Sequence, residues 1–74
     1  MIRIDLLHGE IARAGLTKKH LADQMGITAK TYYAKEKRGV FTNQEIEVFI
    51  KECGIKDPMP IFFPDFVTQD STST

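Results

Sequence analysis

The side chains able to do chemistry fall into two groups. The first is small: two histidines, His8 and His20, and one cysteine, Cys53. Zinc takes three or four protein ligands, and no third ligand is placed beside either histidine. His8 shares its segment with Asp5 and Glu10; His20 follows Lys19. Cys53 has no second cysteine to pair with and lies on an apolar stripe, where it reads as a small buried hydrophobe. There is no glycine-rich phosphate loop and no serine in a nucleophile setting. The expectation is a protein that is not an enzyme, with no metal and no cofactor.

The second group is basic. Arg13, Lys18, Lys19, Lys30, Lys35, Lys37 and Arg38 are opposed only by Asp23 and Glu36, a net +5 between residues 13 and 38. The remainder of the chain carries −5, so the formal total is zero. The central block suits a polyanion or an acidic protein surface. The acidic flanks argue against indiscriminate coating of nucleic acid.

The elements that must position this block are short helices. At 74 residues there is room for one small domain with a modest core. Leu7, Ile11 and Ala14 share one face of a helix over Asp5–Ala14, closed by Gly15. Thr17 caps a second helix, Lys18–Met25, that turns Leu21, Ala22 and Met25 inward. Gly26 breaks it and Ile27 plugs the junction. Thr28 caps a third helix from Ala29 to about Lys37, which Gly39 ends. Thr42-Asn43-Gln44-Glu45 spells a capping box, with Phe41 and Ile46 as its hydrophobic staple. A fourth helix then runs to about Cys53, burying Ile46, Phe49, Ile50 and Cys53, with Gly54 at its end. The expected core is Leu7, Ile11, Leu21, Ala22, Met25, Ile27, Tyr32, Ile46, Phe49 and Ile50.

Beyond Ile55 the character changes. Pro58, Pro60 and Pro64 forbid a long regular helix, and the only strand-like pattern is the run Ile61–Phe63. Met59, Ile61, Phe62, Phe63, Phe66 and Val67 are too apolar for a free tail, so Phe62, Phe63 and Phe66 are expected to pack on helices one and four or on another chain. Residues 69–74 are polar and small, and are expected to form a flexible tail. The expected division is a helical domain over 1–56, a proline-containing apolar segment over 57–68, and the tail.

Two short helices joined through Gly26-Ile27, with small Ala22 inside the second helix and Tyr32 on the inner side of the third, form a helix-turn-helix arrangement. On these positions residues 5–55 resemble the Cro and phage-repressor family. The resemblance implies an all-α, lambda-repressor-like domain of four to five helices whose third helix enters the major groove. Tyr32-Tyr33-Ala34-Lys35, Arg38-Gly39-Val40-Phe41-Thr42, Glu45-Ile46, Cys53-Gly54-Ile55 and Asp57-Pro58-Met59 are also similar to small early regulators of temperate phages of Gram-positive bacteria. Among these, the similarity is greatest to the modulators of repression of lactococcal phages. It implies a lysis–lysogeny regulator in the cytoplasm of a bacterial host. Such a modulator, or anti-repressor, binds the phage repressor as a heterocomplex through its helix-turn-helix region and alters the repressor's hold on DNA. The alternative is a Cro-like repressor that binds operator DNA directly through the third helix. Neither reading involves a membrane or a small-molecule substrate.

The expected contact residues are Thr28, Ala29, Lys30, Tyr33, Ala34, Lys37 and Arg38. Lys18, Lys19, Thr28 and Asn43 are added as phosphate contacts. Lys30 can donate to guanine O6 or N7; Tyr33 can touch a sugar, a thymine methyl or a phosphate. Ala29 and Ala34 can touch only a thymine methyl, so the face is poor in bidentate donors. That shifts weight toward docking a protein. Lys35 stands where an aliphatic residue would be buried; its stem is expected to cover the core while its ammonium reaches out.

Overall fold

The computed structural model describes residues 2–65. Phe66, Val67 and the expected tail at 69–74 lie outside the described residues. The described chain folds into five helices: α1 (Ile4–Ala14), α2 (Lys18–Met25), α3 (Ala29–Arg38), α4 (Asn43–Cys53) and α5 (Met59–Phe62). The fold is a small all-α domain in which α2 packs against α3 and α4, and α1 against α4 and α5.

Local chemistry sets the boundaries. Thr17, Thr28 and Thr42 are extended N-cap residues whose hydroxyls accept from the amides of His20, Thr31 and Glu45, covering donors that a helix start leaves without partners. At Thr42 the box is complete: the Glu45 carboxylate accepts from the Thr42 amide at 2.8 Å. The third helix reaches Arg38, one residue further than its spacing predicts. Lys35, Lys37 and Arg38 in its last turn favour the negative end of the helix dipole.

Four helices end on one device. A glycine takes the left-handed conformation, and the apolar residue after it donates its amide back to the turn below. The donors are Leu16, Ile27, Val40 and Ile55, to the carbonyls of Ile11, Ala22, Lys35 and Ile50. Three of these side chains turn toward the core, while Val40 is 57% exposed.

The proline-rich segment does hold no long helix, but Ile61–Phe63 is not a strand. Met59–Phe62 form one helical turn, with the Phe62 amide bonded to the Pro58 carbonyl at 2.9 Å and the Phe63 amide to that of Met59 at 2.8 Å. Pro60 costs nothing there, because amides in a first turn have no intrahelical partner. The Arg3 amide donates to the Ile61 carbonyl at 2.8 Å, tying this turn to the chain start.

Leu7, Leu21, Tyr32 and Phe49 are fully buried, surrounded by Ile11, Ala22, Ile46 and Cys53. Phe49 lies against three other rings, with centroids 4.9 Å away at Phe41, 5.8 Å at Phe62 and 6.2 Å at Tyr32. Met25, Ile27 and Ile50 are only half-buried at the edge of this core. Ile2, Phe41, Ile55, Ile61 and Phe62 take the interior instead, since the chain start, the connections and α5 close a core that four short helices leave open. Phe62 is buried and Phe63, next to it, faces outward; successive residues of a helical turn point about 100° apart. Among the described residues no helix is long and apolar enough to cross a membrane.

Leu21 is wholly enclosed, so Leu21→Ala is expected to cost about 2–5 kcal/mol in chemical denaturation; an unchanged midpoint contradicts the packing. Gly26 has φ +74° and a Cβ there would meet nothing within 4 Å. Gly26→Ala is therefore expected to lose about 1–2 kcal/mol through backbone conformation alone, and a neutral result would contradict the left-handed turn.

Candidate functional site

The basic block separates into two populations once the side chains are placed. Arg13 is held by Glu10 at 2.6 Å, Lys18 by Glu36 at 2.9 Å and Lys35 by Glu45 at 3.1 Å. Lys19, Lys30, Lys37 and Arg38 are exposed and form no ion pair among the described residues. Lys30, Ala34, Lys37 and Arg38 recur along one side of α3 at helical spacing, and Tyr33, 53% exposed, stands among them. Of these four, Lys30, Lys37 and Arg38 lie on the outward side of α3, while Lys19 lies on α2.

That face exists because the opposite stripe is fixed. Tyr32 and Glu36, one turn apart on α3, are both buried. Glu36 receives Lys18 from α2 on one oxygen, and the His8 imidazole of α1 stands 3.1 Å from the other. Three helices therefore converge on one carboxylate. Burial pushes the Glu36 pKa up, but hydrogen bonding from Lys18 and His8, with Tyr32 adjoining, outweighs it and leaves the group below its ordinary value. Burial, and then the Glu36 charge, keep the Tyr32 phenol protonated far above its usual range.

Glu45 repeats the arrangement at the start of α4. Burial raises its pKa, while the Thr42 amide and the Lys35 ammonium lower it further than burial lifts it. Lys35 is half-buried, and its ammonium ends on Glu45 rather than reaching out into solvent. His20 is paired with Glu52 of α4 at 2.8 Å instead of standing free beside Lys19. Among the described residues no group of three or more His, Cys, Asp or Glu is placed to hold a metal ion.

The expected contact residues are not equally placed. Lys30, Tyr33, Ala34, Lys37 and Arg38 share the exposed face. Ala29 is half-buried rather than fully outward, because its helical angle turns it toward the side of the packed stripe. Thr28 is engaged as a cap, accepting from the Thr31 amide and donating to the Thr31 hydroxyl at 3.0 Å. Lys18 is bound to Glu36, and its ammonium also lies 5.4 Å from the centroid of the Tyr33 ring, within cation–π range. Lys19 and Asn43 are exposed on α2 and α4. The residue missed from sequence is Glu36, which counts there only as a charge opposing the block. Its spacing of four from Tyr32 was the signal that it belongs to the inner stripe.

Comparison with protein-family models, curated proteins and solved structures finds no match to this chain.

The two lowered carboxyls make acid stability predictable in sign. Below the ordinary Glu value of 4.5 the unfolded chain takes up protons that the folded chain refuses. Stability present above that value is thus lost as pH falls through the lower folded values. Glu36→Gln is expected to flatten this acid limb and to cost about 1–3 kcal/mol at neutral pH. Denaturation midpoints measured across the acid range check it; a wild-type stability that does not fall there contradicts the charge-paired state.

Proposed function

We propose that this chain is a small phage transcription regulator of lambda-repressor-like helix-turn-helix type. On this reading it works in the bacterial host as a modulator, or anti-repressor, that binds the phage repressor through α3. The observation that carries the proposal is the exposed row Lys30, Tyr33, Ala34, Lys37 and Arg38, three of whose members are cations without an internal counter-ion. Tyrosine and arginine are the side chains that most often anchor protein interfaces. Tyr33 is set over Lys18, so it meets a partner partly ordered. Ala34 leaves shallow relief beside it, where a partner side chain can seat. Unpaired cations match an acidic or polar patch and speed encounter.

The mechanism follows from where such a partner would sit. If the repressor offers its own DNA-reading helix to this face, the complex masks that helix and the operator is released. The second reading, direct operator binding in the Cro manner, draws on the same cations, which suit phosphates. It is less favoured because Ala34, in the middle of the exposed row, offers a base no bidentate donor.

An operator fragment titrated with this protein, with the repressor, and with both separates the two. The proposal expects no sequence-specific binding by this protein alone and a changed operator affinity for the repressor in its presence. It also expects Tyr33→Ala or Arg38→Ala to weaken the heterocomplex by more than about 1 kcal/mol in calorimetry. Tight, sequence-specific operator binding by this protein as a homodimer, without binding to the repressor, overturns it.

A further inference from the structure

Tyr33 is half-exposed, yet its ring has neighbours on two sides. The buried Tyr32 ring meets it edge to face at 5.9 Å, and the Lys18 ammonium lies 5.4 Å from its centroid. Tyr32 is fixed by the core. Lys18 comes from another helix, and Glu36 is what holds it: the ammonium donates to the Glu36 Oε1 at 2.9 Å. Glu36 is buried and its other oxygen faces the His8 imidazole, so the point to which Lys18 is tied is itself fixed by three helices. Lys18 also stands where a cation is not favoured. It is the first residue of α2, whose first turn contains no acidic side chain, and that end of a helix is the positive one. Lys19, next to it, is exposed with no ion pair among the described residues. Lys18 is half-buried and reaches across to α3, where Tyr33 and Glu36, three positions apart, are neighbours on the helix surface. One ammonium can therefore serve both.

We infer that Lys18 is a positioning residue for the partner-binding face: tied to Glu36, it holds the Tyr33 ring in one orientation and does not itself bind the partner. Its charge is spent inside the domain, on the carboxylate and on the face of the ring. The consequence for binding is one of populations. A side chain that occupies its binding-competent rotamer only part of the time lowers the apparent affinity by that fraction, and ordering it at the interface has an entropic cost. A Tyr33 ring already held between Tyr32 and Lys18 avoids both. The buried Glu36 thereby acts on the outer surface of α3 without touching a partner, through one lysine of the preceding helix. For the identity of that partner, the repressor, the inference rests on the proposed function.

The test has one arm that needs no partner. Three-bond couplings in the free, isotope-labelled full chain give the χ1 populations of Tyr33. One dominant rotamer is expected in the wild type and in Lys18→Arg, which keeps a cation, and averaged rotamers in Lys18→Met. Averaging in the wild type, or no change in Lys18→Met, overturns the inference. Lys18→Met leaves the buried Glu36 without its lysine; if circular dichroism shows that it does not fold, the double variant Lys18→Met, Glu36→Gln removes both charges and carries the same readouts. In the second arm, calorimetry against the repressor's N-terminal domain closes a double-mutant cycle. Lys18→Met is expected to weaken the complex by about two- to fivefold, the size of one partly exposed cation–π contact, and to add no loss in the Tyr33→Ala background. No loss in the wild-type background, or equal losses in both, shows that Lys18 does not act through Tyr33 and overturns the inference. If the wild-type chain does not bind the repressor domain, the functional proposal fails, while the first arm still decides whether Lys18 positions Tyr33.

Discussion

The ring of Phe49 holds the domain together. It is completely buried on α4 and meets Tyr32 of α3, Phe41 of the connection and Phe62 of α5. In so short a chain the buried fraction of surface is small, and a few large side chains must supply most of the apolar area removed from water. Edge-on packing against Phe41, with planes at 90°, is a preferred arrangement for aromatic pairs. Each neighbour brings in a different stretch of chain, so the cluster fixes the third helix, its exit and the final turn together.

The outward face of α3 is a consequence of that cluster. With Tyr32 directed at Phe49, helical geometry sends Tyr33 away from the core, and their rings meet edge to face at 5.9 Å. Glu36, on the same inner stripe, then fixes the helix against its neighbours through Lys18 and His8. A buried carboxylate is costly unless paired; here the pairing uses one cation from the basic block. Internal pairing thus sorts the positive charge, leaving Lys30, Lys37 and Arg38 where another molecule can reach them. Fold and proposed function are joined at this point: the stripe that binds the helix to the domain determines which side of it is presented.

Much of this was legible in the sequence, for local reasons. Thr17, Thr28 and Thr42 before apolar periodicity, and Gly15, Gly26, Gly39 and Gly54 after it, mark helix ends through backbone chemistry that needs no tertiary context. The inner positions Leu7, Leu21, Tyr32 and Phe49 follow from periodicity. What could not be read depends on contacts between distant segments. Glu36 looks like a surface charge until Lys18 and His8 are brought to it, and the capping box that marks Glu45 does not reveal that Lys35 pairs with it. Ile2, Ile61 and Phe62 enter the core because the chain start and the last turn meet through the Arg3–Ile61 bond. Val40 resembles the other residues that follow a helix-ending glycine, and only the packed structure distinguishes it. At the candidate site, the outward row Lys30, Tyr33, Ala34, Lys37 was set by helical spacing. The engagement of Lys18 and Thr28 within the fold was not.

The central claim is that the exposed face of α3 is where this protein meets its partner. Amide chemical-shift mapping of the ¹⁵N-labelled chain with the unlabelled N-terminal domain of the repressor tests it most directly. The account predicts that the largest perturbations fall on Lys30, Tyr33, Ala34, Lys37 and Arg38, with the outer surface of α1 unmoved. Perturbations centred on α1, or no perturbation at saturating repressor, would contradict it.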